Sequence, residues 1–201
     1  MKALDSNQQR AVLDGALQLF ATHDVADITL DKLTKLTGVA SFDIVRHYFS
    51  SENILKAVLE RELELMAAAA QAPELRMPGE TLHDELRLLA GVIFDQYRKR
   101  IPFLAKMLNE AMGSQQIGAL FYSTFVVQGR LLFTEFLRVR KERNELREHV
   151  DVEAAAAVFL ASLTGMFMMH EIFGGRQVEP LDEERALDRM CDIFLEGITK
   201  K

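Results

Sequence analysis

Tryptophan is absent from this 201-residue chain, and cysteine occurs once, as Cys191. A single thiol excludes an internal disulfide and any cysteine-based zinc site, which suits a reducing cytoplasm. Proline is scarce too, with four residues. So few breakers between long stretches of helical periodicity imply an almost wholly α-helical chain, and no alternating run is long enough to argue for a sheet. Long hydrophobic runs are also missing. The most apolar segment, Ala154–Met169, has 16 residues, carries Ser162 and Thr164, and lies between Glu153 and His170-Glu171. By length and flanks it reads as a buried helix and not a membrane span. The opening MKALDSNQQR has no apolar core of a signal peptide. There is no glycine-rich phosphate loop and no nucleophile elbow, and the five histidines lack metal-like i,i+4 spacing. No catalytic residue, metal or cofactor is therefore expected, and the chain does not read as an enzyme. Basic charge is in short supply: 24 Lys and Arg face 30 Asp and Glu, for a net charge of -6.

What is present begins with Ile28–Leu55, ITLDKLTKLTGVASFDIVRHYFSSENIL. Leu30, Leu33 and Leu36 recur at helical spacing behind Thr29, which can cap the helix. Gly38 supplies a positive φ to end it, and Val39 would enter a small core beneath the turn. The next helix, from about Ser41 to His47, would push Ile44 inward and leave Ser41, Phe42, Asp43 and Arg46 outside. Two short helices meeting at a glycine form a helix-turn-helix, and the second is of a size to enter a DNA major groove. A preceding helix, capped by a Ser6-x-x-Gln9 box and buried along Leu13, Ala16, Leu17 and Phe20, completes a three-helix head. Residues 1–50 hold five basic and six acidic side chains. That is a thin footprint for a surface meant to neutralise phosphates.

The remainder reads as a larger helical body. A fourth helix runs to about Gln71, and Pro73, Pro78 and Gly79 mark a break. Thr81-x-x-Asp84 caps a helix ending at Arg98-Lys99-Arg100, Pro102 opens another that reaches Met112-Gly113, and a long helix spans about Gln115–Glu148. Its far end, Arg138–Glu148, mixes both charge signs and reads as a solvated helical end. Phenylalanine and methionine are abundant here, and a mostly apolar space between such helices can hold a small molecule. Candidate lining residues are Met107, Met112, Phe121, Phe125, Gln128, Met166, Phe167 and His170, with Asn109 and Thr164 as further polar groups. They imply a small apolar or amphipathic effector. The helix from Ala154 is apolar nearly all round, and Asp182 caps a final amphipathic helix. Two such helices can pair with their symmetry mates as a four-helix bundle, which predicts a homodimer through Phe159, Leu163, Gly165, Leu187, Met190 and Phe194.

In this order the motifs resemble the TetR family of transcriptional regulators over most of the chain: Leu19-Phe20, Thr29 through Thr37-Gly38-Val39, the His47-Tyr48-Phe49 element, Gly165, and LDRMCDIFLEG at Leu187–Gly197. The resemblance implies an all-α fold with a helix-turn-helix DNA-binding domain at 1–50 and an effector-binding and dimerisation domain at 51–201. It also implies a ligand-responsive repressor in the cytoplasm, a homodimer on a palindromic double-stranded operator, with no membrane partner. By position, Thr29 and Lys32 would meet phosphate, Ser41, Phe42, Asp43 and Arg46 would face the groove, and His47 and Tyr48 would lie on the backbone. Arg46 could pair with guanine and Phe42 could touch a thymine methyl. Three departures stand out. With Phe49 taken as the family's phenylalanine, its lysine three residues on becomes Glu52, the spacing from Gly38 is one residue longer than usual, and the tyrosine near the end of the recognition helix is replaced by Ile44-Val45. Together with the head's charge they motivate an alternative: a TetR-fold regulator with weakened or lost DNA binding that acts through protein–protein contacts.

Overall fold

The computed structural model describes residues 4–70 and 81–200, and among these the fold is all-α. The break assigned to Pro73, Pro78 and Gly79 lies outside the described residues. Eleven α-helices run in order: α1 Ser6–Phe20, α2 Leu30–Thr37, α3 Ser41–Tyr48, α4 Ser51–Ala70, α5 Leu82–Arg98, α6 Ile101–Gly113, α7 Gln115–Phe121, α8 Val127–Glu142, α9 Val152–Phe167, α10 Gly175–Val178 and α11 Glu183–Ile198. A 3-10 turn occupies Val25–Asp27, and π-type turns occupy Tyr122–Val126 and Met168–Ile172. Packing divides the chain into two units, Met1–Glu64 with Pro102–Val126, and Leu65–Ile101 with Val127–Lys201.

The first unit contains the three-helix head. The capping box of α1 is formed by Asp5 and Gln8, one residue before the expected Ser6 and Gln9: Gln8 N donates to Asp5 Oδ1 at 2.9 Å and Asp5 N donates to Gln8 Oε1 at 3.1 Å. Val12, Ala16 and Phe20 are fully buried beneath it. Gly15 is where α1 meets α2, because a Cβ there would come within 2.6 Å of Thr37 Cγ2 and 3.3 Å of Leu36 Cδ2. Thr37 cannot easily turn aside. Its hydroxyl donates to Leu33 O at 2.7 Å and accepts from Val39 N at 3.2 Å. Arg61 of α4 reaches back to Asp14 of α1 at 2.8 Å. Lys106 of α6 is ion-paired with Asp24 in the link after α1 and with Glu110 at 3.3 Å. Its hydrogen bond and charge hold the Asp24 carboxyl below the usual range, and the same bond raises Lys106.

The second unit is built on aromatic contacts. Phe133 of α8 stacks on Phe159 of α9 with centroids 4.8 Å apart, and Phe159 meets Phe194 of α11 at 4.9 Å. Phe167 packs edge-on against Phe94 at 5.2 Å and Tyr97 at 5.3 Å, joining α9 to α5. Arg98, Arg176, Glu171 and Glu183 form a four-charge cluster that ties the second π-type turn to α5 and α11, with Arg98–Glu171 at 3.1 Å and Arg176–Glu171 at 3.3 Å.

Two expectations change here. The stretch Arg138–Glu148 is not one solvated helical end. The helix stops at Glu142, Asn144 takes the left-handed conformation (φ 64°), and Leu146 is buried and bridges to Thr199. Arg147 then donates to the carbonyls of Glu196, Gly197 and Thr199 at 2.9, 3.2 and 2.7 Å, closing the free end of α11. Second, the π-type turn prolongs the α9 helix to Val152–Ile172, 21 residues, so the length argument against a span fails. Gln115–Glu142 is likewise long and apolar enough to cross a bilayer by length and composition.

Gly15→Ala is expected to lower stability by about 1–2 kcal/mol, because overpacking against a pinned threonine outweighs the roughly 1 kcal/mol that alanine normally gains over glycine within a helix. Urea unfolding of the two proteins measures this, and a more stable variant would mean that Thr37 gives way.

Candidate nucleic-acid interface

The turn that presents α3 is specified residue by residue. Thr29 caps α2 by accepting from Lys32 N at 3.3 Å, and Gly38 ends it at φ 71° with its N–H on Thr34 O. Val39 is buried directly after the turn, as the sequence predicts. Ile44 and Tyr48, one turn apart on α3, are buried at 0% and 8% exposure. These anchors leave Ser41, Phe42, Val45 and Arg46 on the exposed side. Asp43 and His47 sit at its margins, half-buried, and the His47 ring lies edge-on to Tyr48 at 4.6 Å. Thr29 is exposed. Lys32 is half-buried and its Nζ donates to Asp27 O at 3.0 Å, holding the 3-10 turn.

Tyr48, expected on the DNA backbone, is instead a core residue. Burial raises its hydroxyl above the ordinary tyrosine range, against a smaller opposing pull from the charge of Arg61. Its carbonyl accepts from Asn53 Nδ2 at 2.8 Å. This settles the register of the motif. The buried aromatic lies ten residues after Gly38, at Tyr48 and not at Phe49, which is 78% exposed. The position three beyond the buried aromatic is Ser51. Ser50 caps α4 by accepting from Asn53 N at 3.2 Å. Between α3 and α4, Phe49 holds a γ-turn at φ 66°, ψ -37°, with Ser50 N donating to Tyr48 O at 2.8 Å. Such a conformation costs a non-glycine residue about 1–3 kcal/mol and is kept only where its surroundings impose it.

The expected dimer residues divide differently. Phe159, Leu163 and Leu187 are sealed inside the second unit, at most 1% exposed, and serve the chain's own core, while Phe194 packs on Phe159 and is half-buried. Met190 and Gly165 are half-exposed. A neighbouring stripe of α9 faces outward instead: Ala154, Ala157, Val158, Ala161 and Ser162, followed by Met169 at 60% exposure. A step of one residue turns a helix by about 100°, so Val158 is exposed where Phe159 is buried. The apolar character all round this helix concealed which face was which.

The expected pocket residues are distributed over both units. Met107 and Phe125 are buried and Phe121 is half-buried in the first unit, while Met112 is 82% exposed beside the end of α6. In the second unit Phe167 is buried, Met166 and His170 are half-buried, and Gln128 is exposed. His170 Nδ1 is buried without a hydrogen-bond partner among the described residues, while burial raises the nearby Tyr97 hydroxyl, against a weaker hydrogen bond with Thr164. A separate open cleft of about 360 Å³ lies against α4 and α5, lined by Ala69, Arg87, Leu88, Gly91, Val92, Asp95 and Gln96, and includes none of the expected residues. Cys191 is buried, with its thiol pushed up to about 11 by desolvation. No group of three or more metal-ligating side chains occurs among the described residues.

Comparison with known proteins places this geometry among regulators. Residues 97–197 match the family model described as the C-terminal domain of AefR-like transcriptional repressors of the TetR class. The chain is 27% identical over 163 residues to the HTH-type transcriptional repressor ComR of Escherichia coli K12, covering 78% of this chain and 76% of that protein. A solved structure assigned to the TetR family, from Rhodococcus sp., superposes with a TM-score of 0.76 at 12% identity, over 98% of this chain and 100% of that one. The flavonoid-responsive regulator FrrA superposes at 0.75 with 21% identity and the same coverage. At these identities the two structures establish the shared fold.

Proposed function

Because the chain belongs to the TetR family of transcriptional regulators, we propose that it is a cytoplasmic, ligand-responsive repressor that binds a palindromic DNA operator as a homodimer. The observation that carries this is α3. Its inner face is committed to the core through Ile44 and Tyr48, and its outer face, Ser41, Phe42, Val45 and Arg46, is left exposed among the described residues. A helix held this way by a glycine turn is the unit that enters a major groove. Phosphate contacts fall to Thr29, Lys35, His47 and the first turn of α4 at Ser51, where free backbone N–H groups favour an anion. The division at residue 50 is functional: residues 1–50 read DNA, and 51–201 bind effector and partner.

Pairing rests on the outward stripe of α9. Small side chains let a second helix approach closely, and nothing lies within 4 Å of where a Cβ of Gly165 would stand. The effector is proposed to sit in the second unit against Met166, Phe167 and His170, where the partnerless His170 Nδ1 offers a polar handle in aromatic surroundings. A π-type turn at this spot is a frequent mark of functional helices. The name of FrrA supports an amphipathic aromatic compound. With the buried Tyr48 taken as the motif's aromatic, the spacing from Gly38 is regular and Ser51 stands three residues on in place of Glu52, so the protein–protein alternative keeps the head's near-neutral charge and the missing tyrosine at Ile44-Val45.

Three outcomes are expected. Selection from random duplex DNA should enrich a palindrome. Its affinity should fall with salt by a log–log slope of about -5, because the helix-turn-helix of each head carries three of the head's five cations (Lys32, Lys35 and Arg46) and each phosphate contact adds roughly 0.9. No enrichment even at low salt would move the assignment to the protein–protein reading. Ala161→Glu should convert a dimer to a folded monomer in analytical ultracentrifugation and lower operator affinity at least tenfold, since two linked heads bind with avidity; an unchanged dimer would remove α9 from the interface. Flavonoids and other aromatic amphiphiles should raise the melting temperature, and His170→Leu should diminish that rise; a panel without any shift would count against the site.

A further inference from the structure

The exposed side of α3 is apolar where a DNA-reading helix is ordinarily polar. Phe42 is 65% exposed and Val45 39%, and they lie three residues apart on the side opposite Ile44 and Tyr48. Arg46 is the one cation among them. Single exposed apolar residues need no explanation. Two placed side by side on the face that must meet the ligand do, because they set what that face can recognise. Phosphates and sugar hydroxyls offer them nothing. In the major groove the edges of the bases present hydrogen-bond donors and acceptors, and one apolar group, the C5 methyl of thymine.

Building on the reading of α3 as the groove-entering helix, we propose that Phe42 and Val45 are the specificity determinants of this regulator and recognise thymine methyl groups in each half-site, while Arg46 supplies the hydrogen-bonding contact. Phe42 lies in the first turn of α3, the part of a recognition helix that reaches base edges. Val45 follows one turn later on the same side, and Arg46 extends beyond it. The arrangement also answers the charge problem of the head. Apolar contact with methyls depends little on salt and supplies affinity that the few cations cannot.

The test uses the full-length protein and the duplex enriched from a random pool, remade with deoxyuridine in place of thymine one position at a time. Deoxyuridine removes the methyl and leaves base pairing and charge unchanged. Binding of the wild type should weaken about fourfold at one or two positions in each half-site, and roughly fifteenfold when one position is altered in both, the effect of withdrawing about one buried methyl per contact. Phe42→Ala should lose a similar factor on the thymine duplex and become indifferent to deoxyuridine at the position it reads. Its melting temperature should be unchanged, because the ring is mostly in water. Arg46→Ala should weaken both duplexes equally. Equal affinity of the wild type for thymine and deoxyuridine duplexes at every position would overturn the proposal while leaving DNA binding intact, and would assign the apolar face to a contact with another protein. Failure to enrich any duplex would instead overturn the operator reading on which this one rests.

Discussion

An eight-residue helix has no stability of its own in water, so α3 exists because Ile44 and Tyr48 are buried. Everything attributed to its outer face depends on that. The two anchors fix the rotation of the helix, the rotation decides that Phe42, Val45 and Arg46 stand outside, and the sharp turn at Gly38 fixes the direction in which they point. Further support comes from Gly15, whose missing side chain lets α1 lie against the end of α2. The head is thus a small core arranged so that one short surface is left uncommitted.

Much of this was legible from residue types. Thr29, Thr81 and Asp182 each cap a helix by accepting from backbone N–H groups. Gly38 and Gly174 take positive φ at helix ends. Those features obey local chemistry, and local chemistry can be read along a chain. The misreadings share a different origin. Tyr48 and Phe49 are adjacent aromatics, and only packing decides that Tyr48 is the buried one. In α9 the apolar residues encircle the helix, so periodicity carried no information about which face the chain keeps for itself. The charged run after Glu142 looks solvated by composition, yet Leu146 within it is a core residue and Arg147 is bound to three carbonyls. Tertiary contact, distant in sequence, settled each case.

The two units also differ in what holds them. In the first, ion pairs such as Arg61–Asp14 and Lys106–Asp24 lie over a mixed core of aliphatic side chains with Phe20, Phe103 and Phe125, at partly exposed positions where screening leaves them small energetic value and a larger role in fixing register. In the second, stacked and edge-on rings join α5, α8, α9 and α11. Offset aromatic pairs add about 0.5–1.5 kcal/mol each beyond their buried area.

The clasp formed by Arg147 has a consequence for synthesis in the cell. Its three acceptors belong to residues about fifty positions later, so the guanidinium must wait in solvent until α11 has emerged from the ribosome and swung into place. Leu146 waits with it, uncovered. A polypeptide released prematurely, before Glu196, would display a loose α8–α9 connection and a greasy residue in water, the kind of exposed segment that proteases recognise. The α8–α9 connection is thereby secured only once α11 has docked against it.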